Sequence, residues 1–155
     1  MPAWLTFNPC LTVSLAAWLC AQIAKAVLHT VRTRNFDFRL LVDSGGMPSS
    51  HTAIVTALDT SVGLTAGWHT PLFAVVTVFS LIVVYDATNL RRSAGYHAQV
   101  LNKIVPALLH GKILKEEFTA PRLRELLGHS YGEVLAGGVL GVLCAILLLH
   151  QMSAR

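Results

Sequence analysis

Two short stretches hold the residues of this chain best suited to chemistry, Gly45-Gly46-Met47-Pro48-Ser49-Ser50-His51 and Gly128-His129-Ser130-Tyr131-Gly132-Glu133. Each sets a histidine at the start of an apolar helix. Two imidazoles so placed can share one phosphate, one ring attacking phosphorus while the other handles the proton of the leaving group. In the first stretch, a proline and two serines at a helix start leave backbone N–H groups aimed along the positive end of the helix dipole, a ready anion site. The plainer reading of that tetrapeptide is an N-cap followed by a histidine. In the second, Glu133 falls four residues after His129, one helical turn away. A carboxylate there fixes the imidazole tautomer and frees the other ring nitrogen as nucleophile. A merely solvated interfacial carboxylate is the alternative. The coincidence of a histidine, a carboxylate one turn on and a second histidine at the same depth favours chemistry.

The elements that must position these groups are membrane helices. The chain has 155 residues, of which 54% are hydrophobic and only 13% charged, and its mean hydropathy is positive, too apolar for an ordinary soluble domain. Apolar spans fall at 11–31, 52–67, 71–90 and 132–150, against the roughly 20 residues that cross a bilayer. The fold expected is therefore all-α, a bundle of about four transmembrane helices in a single membrane domain, residues 1–155. One insertion, residues 93–128, interrupts it. Within it Val100, Leu101, Ile104, Val105, Leu108, Leu109 and Ile113 recur at helical spacing, with Pro106 as a kink. This predicts an amphipathic helix on the cytoplasmic leaflet or packed over the inner end of the bundle.

The second span is short and carries Asp59, which predicts a tight hairpin with the third through Gly67-Trp68-His69-Thr70-Pro71 and a hydrogen bond from Asp59 to Thr56 or a neighbouring helix. No basic residue precedes the first span, so it is not a cleaved signal. Of 12 Lys and Arg residues, Arg32, Arg34 and Arg39 lie between spans one and two, and Arg91, Arg92, Lys103, Lys112, Lys115, Arg122 and Arg124 between spans three and four. With four spans these loops share a side, assigned to the cytoplasm, so both termini face outward. Gly137-x-x-x-Gly141 lets helices approach closely, within the chain or between copies. Cys10, Cys20 and Cys144 have no metal-ligand spacing and read as small buried hydrophobes; no metal or cofactor is expected.

The blocks resemble the superfamily of type 2 phosphatidic acid phosphatases and vanadium haloperoxidases. Its signature is Lys-x6-Arg-Pro, then Pro-Ser-Gly-His, then Ser-Arg-x5-His-x3-Asp. Lys25 and Arg32 keep the first spacing, Pro48-Ser49-Ser50-His51 matches the second block and His129-x3-Glu133 the third, in the same order. The stretch from Ser44 to Ala53, Tyr85-Asp86-Ala87 with Arg91-Arg92, and Leu126-Leu127-Gly128-His129 resemble most closely the divergent, small bacterial and plastid branch, over nearly the whole chain. Thr33 stands for the proline of block one, Ser50 for the glycine of block two and Glu133 for the aspartate of block three. The Ser-Arg pair before the last histidine is missing.

The resemblance implies a membrane lipid phosphatase that acts without metal through a phosphohistidine on His129, with Glu133 orienting that ring and His51 protonating the leaving alkoxide. It implies a phosphate clamp drawn from Lys25, Arg32, Ser49, Ser50, Arg91, Arg92 and Arg124. Asp86 and Asn89 support it, Asp86 by a salt bridge to Arg91 or Arg92. The expected substrate is a phosphomonoester or diphosphate head group at the cytoplasmic leaflet of a bacterial inner (plasma) membrane. Membrane lipids are partners, a homo-oligomer is plausible, and no nucleic acid is involved. The missing Ser-Arg pair motivates the alternative of a non-catalytic module that binds or transports a lipid phosphate.

Overall fold

A computed structural model describes residues 8–34, 46–110, 122–123 and 128–154. Arg39, Lys112, Lys115, Ile113 and Arg124 lie outside them. Among the described residues five α-helices follow in order: α1 (Pro9–Thr33), α2 (Ser50–Ala66), α3 (Pro71–Tyr85), α4 (Arg91–His110) and α5 (Tyr131–Ser153), with a π-helical turn (Asp86–Leu90) joining α3 to α4. Among the described residues every regular element is helical, as the composition predicts.

Local chemistry starts each helix. Asn8 accepts from the Cys10 and Leu11 N–H groups ahead of Pro9, and Thr70 accepts from Phe73 N–H ahead of Pro71. Proline in the first turn has no N–H to satisfy and carries the helical φ already. Ser49 caps α2 through Thr52 N–H. Ser130 and Glu133 form a reciprocal capping box at α5.

Helices α1, α5 and the continuous segment Pro71–Leu108 are long and apolar enough to cross a membrane. Helix α2, at 17 residues, is shorter and lies at the centre of the bundle, packed on α1, α3 and α5. The insertion expected from residue 93 does not begin with a loop. Helix continues from Pro71 to Leu108, 38 residues, about 57 Å if straight against a hydrocarbon core of about 30 Å. A straight helix of that length along the membrane normal would carry the half bearing Arg91, Arg92, Gln99, Asn102 and Lys103 beyond the apolar layer. Val100, Leu101 and Ile104 on α4 are exposed, while Arg92 in its first turn packs against Gly128 and Tyr131 at the start of α5.

The seam between α2 and α5 is a ladder of small residues. A Cβ on Gly137 would strike the Ser49 carbonyl, and one on Gly141 would strike the Ala53 carbonyl and the Thr56 hydroxyl. One turn further, Ala57 and Ala145 are buried with Val13 and Ala17 of α1. The small-x-x-x-small pattern thus serves packing within the chain, bringing two parallel backbones together. Helix α1 runs antiparallel to α2: Cys10 Sγ lies 3.3 Å from Thr65 Oγ1 at one end, while the Lys25 side chain packs beside Gly46 at the other. Asp59 accepts from Thr77 Oγ1 of α3 at 2.7 Å, the neighbouring-helix bond expected of it. Trp68 and Phe73 pack edge to face at the hairpin turn.

Candidate functional site

Because α2 and α5 run parallel, their N-termini arrive at the same end of the bundle, where α1 and α3 finish. Two backbone hydrogen bonds lock this end. Ser49 N–H donates to Glu133 O (2.9 Å), joining α2 to α5, and His129 N–H donates to Ala87 O (2.9 Å), joining the start of α5 to the π turn. The wider π spacing, in which Arg91 N–H reaches back to Asp86 O, offers Ala87 O to a partner outside the helix. Such turns concentrate at functional sites. Gly128 makes the approach possible. Its φ is +85°, and a Cβ there would lie 2.5 Å from Arg92 N, so the glycine satisfies both a left-handed backbone and a close crossing.

At this junction His51 Nδ1 lies 3.5 Å from His129 Nε2, with ring centroids 5.7 Å apart and planes inclined by 60°. His129 is only 2% exposed. Its Nδ1 is 2.9 Å from Glu133 Oε2. That carboxylate oxygen also accepts from Ser130 N–H at 3.3 Å, so the group that closes the capping box also holds the ring. A carboxylate accepts only, which assigns a proton to Nδ1; in the neutral form of the ring the lone pair is then on Nε2, facing His51. Glu133, His129 and His51 thus stand in one hydrogen-bonded row.

Cations surround it. Lys25, 2% exposed, comes from α1. Arg91 Nε donates to Asp86 Oδ2 at 2.8 Å. His51 lies in the first turn of α2, ahead of the apolar stretch 52–67. Burial first, then the charges of His129, Arg91 and Lys25, hold it below the ordinary imidazole value, while Asp86 acts in the opposite direction. The free site therefore favours neutral His51. Ser50 and His51 N–H groups occupy the first turn of α2, where intrahelical acceptors are lacking, and both helix dipoles present positive ends to the same place.

The structure thus brings together His51, His129, Glu133, Lys25, Arg91 and Asp86. Ser49 has its hydroxyl engaged by Thr52 N–H and Thr52 Oγ1 and its N–H by Glu133, so it acts as a cap and tie. Asn89 donates to Thr88 Oγ1. The Arg92 guanidinium lies 5.9 Å from the ring centroids of both Tyr96 and Tyr131, a cation–π clamp. Arg32 lies on α1, its side chain outside the described atoms, and Arg124 is outside the described residues. Sequence reasoning missed Ala87 O, which carries no side-chain signal, and the Ser130-x-x-Glu133 box, which was legible. It also missed Asn102, whose side-chain amide donates to Leu123 O and accepts from Leu123 N–H.

Comparisons with known proteins place the chain in a family. A family model described as the Divergent PAP2 family matches residues 6–144. The "Uncharacterized membrane protein YuiD" of Bacillus subtilis (strain 168) is 41% identical over 146 residues, covering 88% of this chain and 91% of that protein. No solved structure matches. With the family pattern running through both histidine blocks and nearly the whole length of the helical bundle, this chain belongs to the divergent PAP2 family.

Proposed function

We propose that the chain is a membrane lipid phosphatase that hydrolyses a phosphomonoester or diphosphate head group through a phosphohistidine. The observation that carries this reading is the Glu133–His129–His51 row at the meeting of two helix N-termini. His129 Nε2 attacks phosphorus, the bond from phosphorus to the leaving oxygen breaks, and that oxygen takes a proton from His51. Neutral His51 then takes a proton from water, whose oxygen attacks phosphorus, breaks the N–P bond and releases inorganic phosphate. Glu133 holds the attacking ring and balances its positive charge. Lys25 and Arg91 neutralise the phosphoryl oxygens, with Arg32, Arg92 and Arg124 as further members of the clamp.

The 3.5 Å contact sets a condition on this chemistry. A nucleophile approaches its reacting atom at about 3–3.5 Å, and the leaving oxygen lies beyond phosphorus, so phosphate must part the two rings. Entry of a dianion offsets the cations that hold His51 neutral, so His51 gains its proton as phosphate binds. The same contact favours a second reading, a lipid-phosphate binding or transport module in which the pair stays closed and turnover is lost.

We place the site at the cytoplasmic leaflet of the bacterial inner membrane, with both termini outward, on the strength of the basic loops. One assay addresses activity and sidedness together. Membranes carrying the protein, in inverted and right-side-out vesicles, receive a long-chain phosphate monoester in the outer leaflet. Release of phosphate in inverted vesicles alone, abolished by His129→Ala, is expected. Binding without release would favour the module, and release from right-side-out vesicles would reverse the orientation.

A further inference from the structure

A groove of about 500 Å³ opens on the flank of the bundle between α2, α3 and α5, lined by residues next in sequence to His51 and Glu133. Its walls include Thr52, Val84, Val134, Gly138, Val139 and Leu143. Three of these mark its upper end at the height of the site: Thr52 follows His51, Val134 follows Glu133, and Val84 lies half a turn before Asp86. Successive helical residues differ by only 1.5 Å in height. From Val134 to Leu143 the groove descends nine residues of α5, about 13 Å, close to half of a hydrocarbon core about 30 Å thick.

The lining is apolar although two threonines contribute to it. Thr52 Oγ1 donates to Ser49 Oγ and Thr56 Oγ1 donates to Thr52 O, so both hydroxyls are engaged, and their methyl carbons are the atoms nearest a Cβ at Gly138, at 3.7 and 3.9 Å. Gly138 thereby differs from Gly137 and Gly141. A side chain there meets ordinary van der Waals contact and would fill the groove rather than drive the helices apart.

We infer that this groove seats one hydrocarbon chain of the lipid whose phosphate occupies the His51–His129 site, so that substrate enters sideways from the surrounding leaflet with its head group already at the histidines. The inference rests on the proposed phosphate site and adds a substrate class to it: a single-leaflet amphiphile with a chain of at least about ten carbons descending beside its phosphate. A chain in the groove supplies binding remote from the reacting phosphorus, which can offset the work of parting the two rings.

The test uses purified protein in nanodiscs with hexadecyl phosphate carrying a mid-chain diazirine, and hexadecanol carrying the same group as the phosphate-free control. Irradiation is expected to label α5 around Val139 and Leu143 with the phosphate ester. Excess unlabelled hexadecyl phosphate should suppress that labelling, and hexadecanol should give at least fivefold less. Gly138→Leu, and independently Val139→Phe, should lower groove labelling and raise KM for hexadecyl phosphate about tenfold, while kcat/KM for phenyl phosphate stays within twofold. Equal labelling by the alcohol and the phosphate, or an unchanged KM in both variants with labelling elsewhere, would overturn the inference and leave hydrolysis of phenyl phosphate intact. Phosphate-dependent labelling of the groove in a protein that releases no phosphate would support the groove and overturn hydrolysis. The two readings therefore fail separately.

Discussion

Helix α5 presents two contrasting sides. Toward α2 it shows Gly137, Gly141 and Ala145, all buried, with backbone and side-chain atoms of Ser49, Ala53 and Thr56 where a Cβ would stand. Around the helix it shows Leu135, Val139 and Leu143, large and exposed along an open groove. Without a strong hydrophobic drive between helices in lipid, close packing and hydrogen bonds must supply the association. The closed side is therefore the structural one: it fixes the register that sets His129 against His51. The open side lacks that close packing, and it is there that we infer a hydrocarbon chain sits.

The largest effect should come from blocking the closed side. Gly141→Leu sets a branched side chain against the Ala53 carbonyl and Thr56, and about 3 kcal/mol or more of stability should be lost. Thermal unfolding in detergent measures it, with Leu143→Ala on the open side as the comparison. A comparable loss for both would erase the distinction between the two sides.

A smaller effect concerns the pH response at the head of the seam. Burial together with His129, Arg91 and Lys25 lowers the His51 pKa in the free protein, and in the proposed reaction a bound phosphate dianion raises it again. In the proposed reaction protonated His51 serves the leaving group, so activity should be lost as pH rises through its pKa. The descending limb of kcat/KM, which reports the free enzyme, should therefore lie at lower pH than that of kcat, which reports the complex. Arg91→Gln should shift the kcat/KM limb upward. Coincident limbs would show that phosphate does not recharge this histidine.

The smallest effect is expected at the hairpin of α2 and α3, where Thr77 donates to Asp59. Interhelical hydrogen bonds of this kind contribute about 0.6 kcal/mol on average, so Thr77→Val should destabilise by about that amount with kcat unchanged. A drop in kcat would mean that this contact also positions the site.

Much of this arrangement was legible in the chain, and the residues show why. The apolar spans, the proline at the start of α1 and the Thr70-Pro71 start of α3 are local signals. So is the His129-x3-Glu133 spacing, because one helical turn settles whether two side chains meet. The glycine pair was visible too, but its partner was not, since nothing near Gly137 points to Ser49. Contacts between distant segments stayed hidden for the same reason: Ala87 O with His129 N–H, Asn102 with Leu123, and Arg92 between two tyrosines. The π turn had no local signal, and the Ala87 carbonyl it offers meets a donor from His129, more than forty residues away. Helix runs through it unbroken into α4, so the insertion expected at residue 93 opens as a continuation of α3.

The central claim is that His129 Nε2 forms a bond to phosphorus. Rapid mixing with a phosphate ester labelled on phosphorus, followed by denaturation at alkaline pH, tests it directly, because phosphohistidine survives alkali while acyl phosphates do not. Wild-type protein should carry label on the peptide containing His129, and His129→Ala should carry none. His51→Ala should still accumulate label from an activated aryl phosphate, whose leaving group needs little help from an acid. Label in the His129→Ala protein, or turnover by the wild type with no trapped label even under rapid quench, would contradict the account.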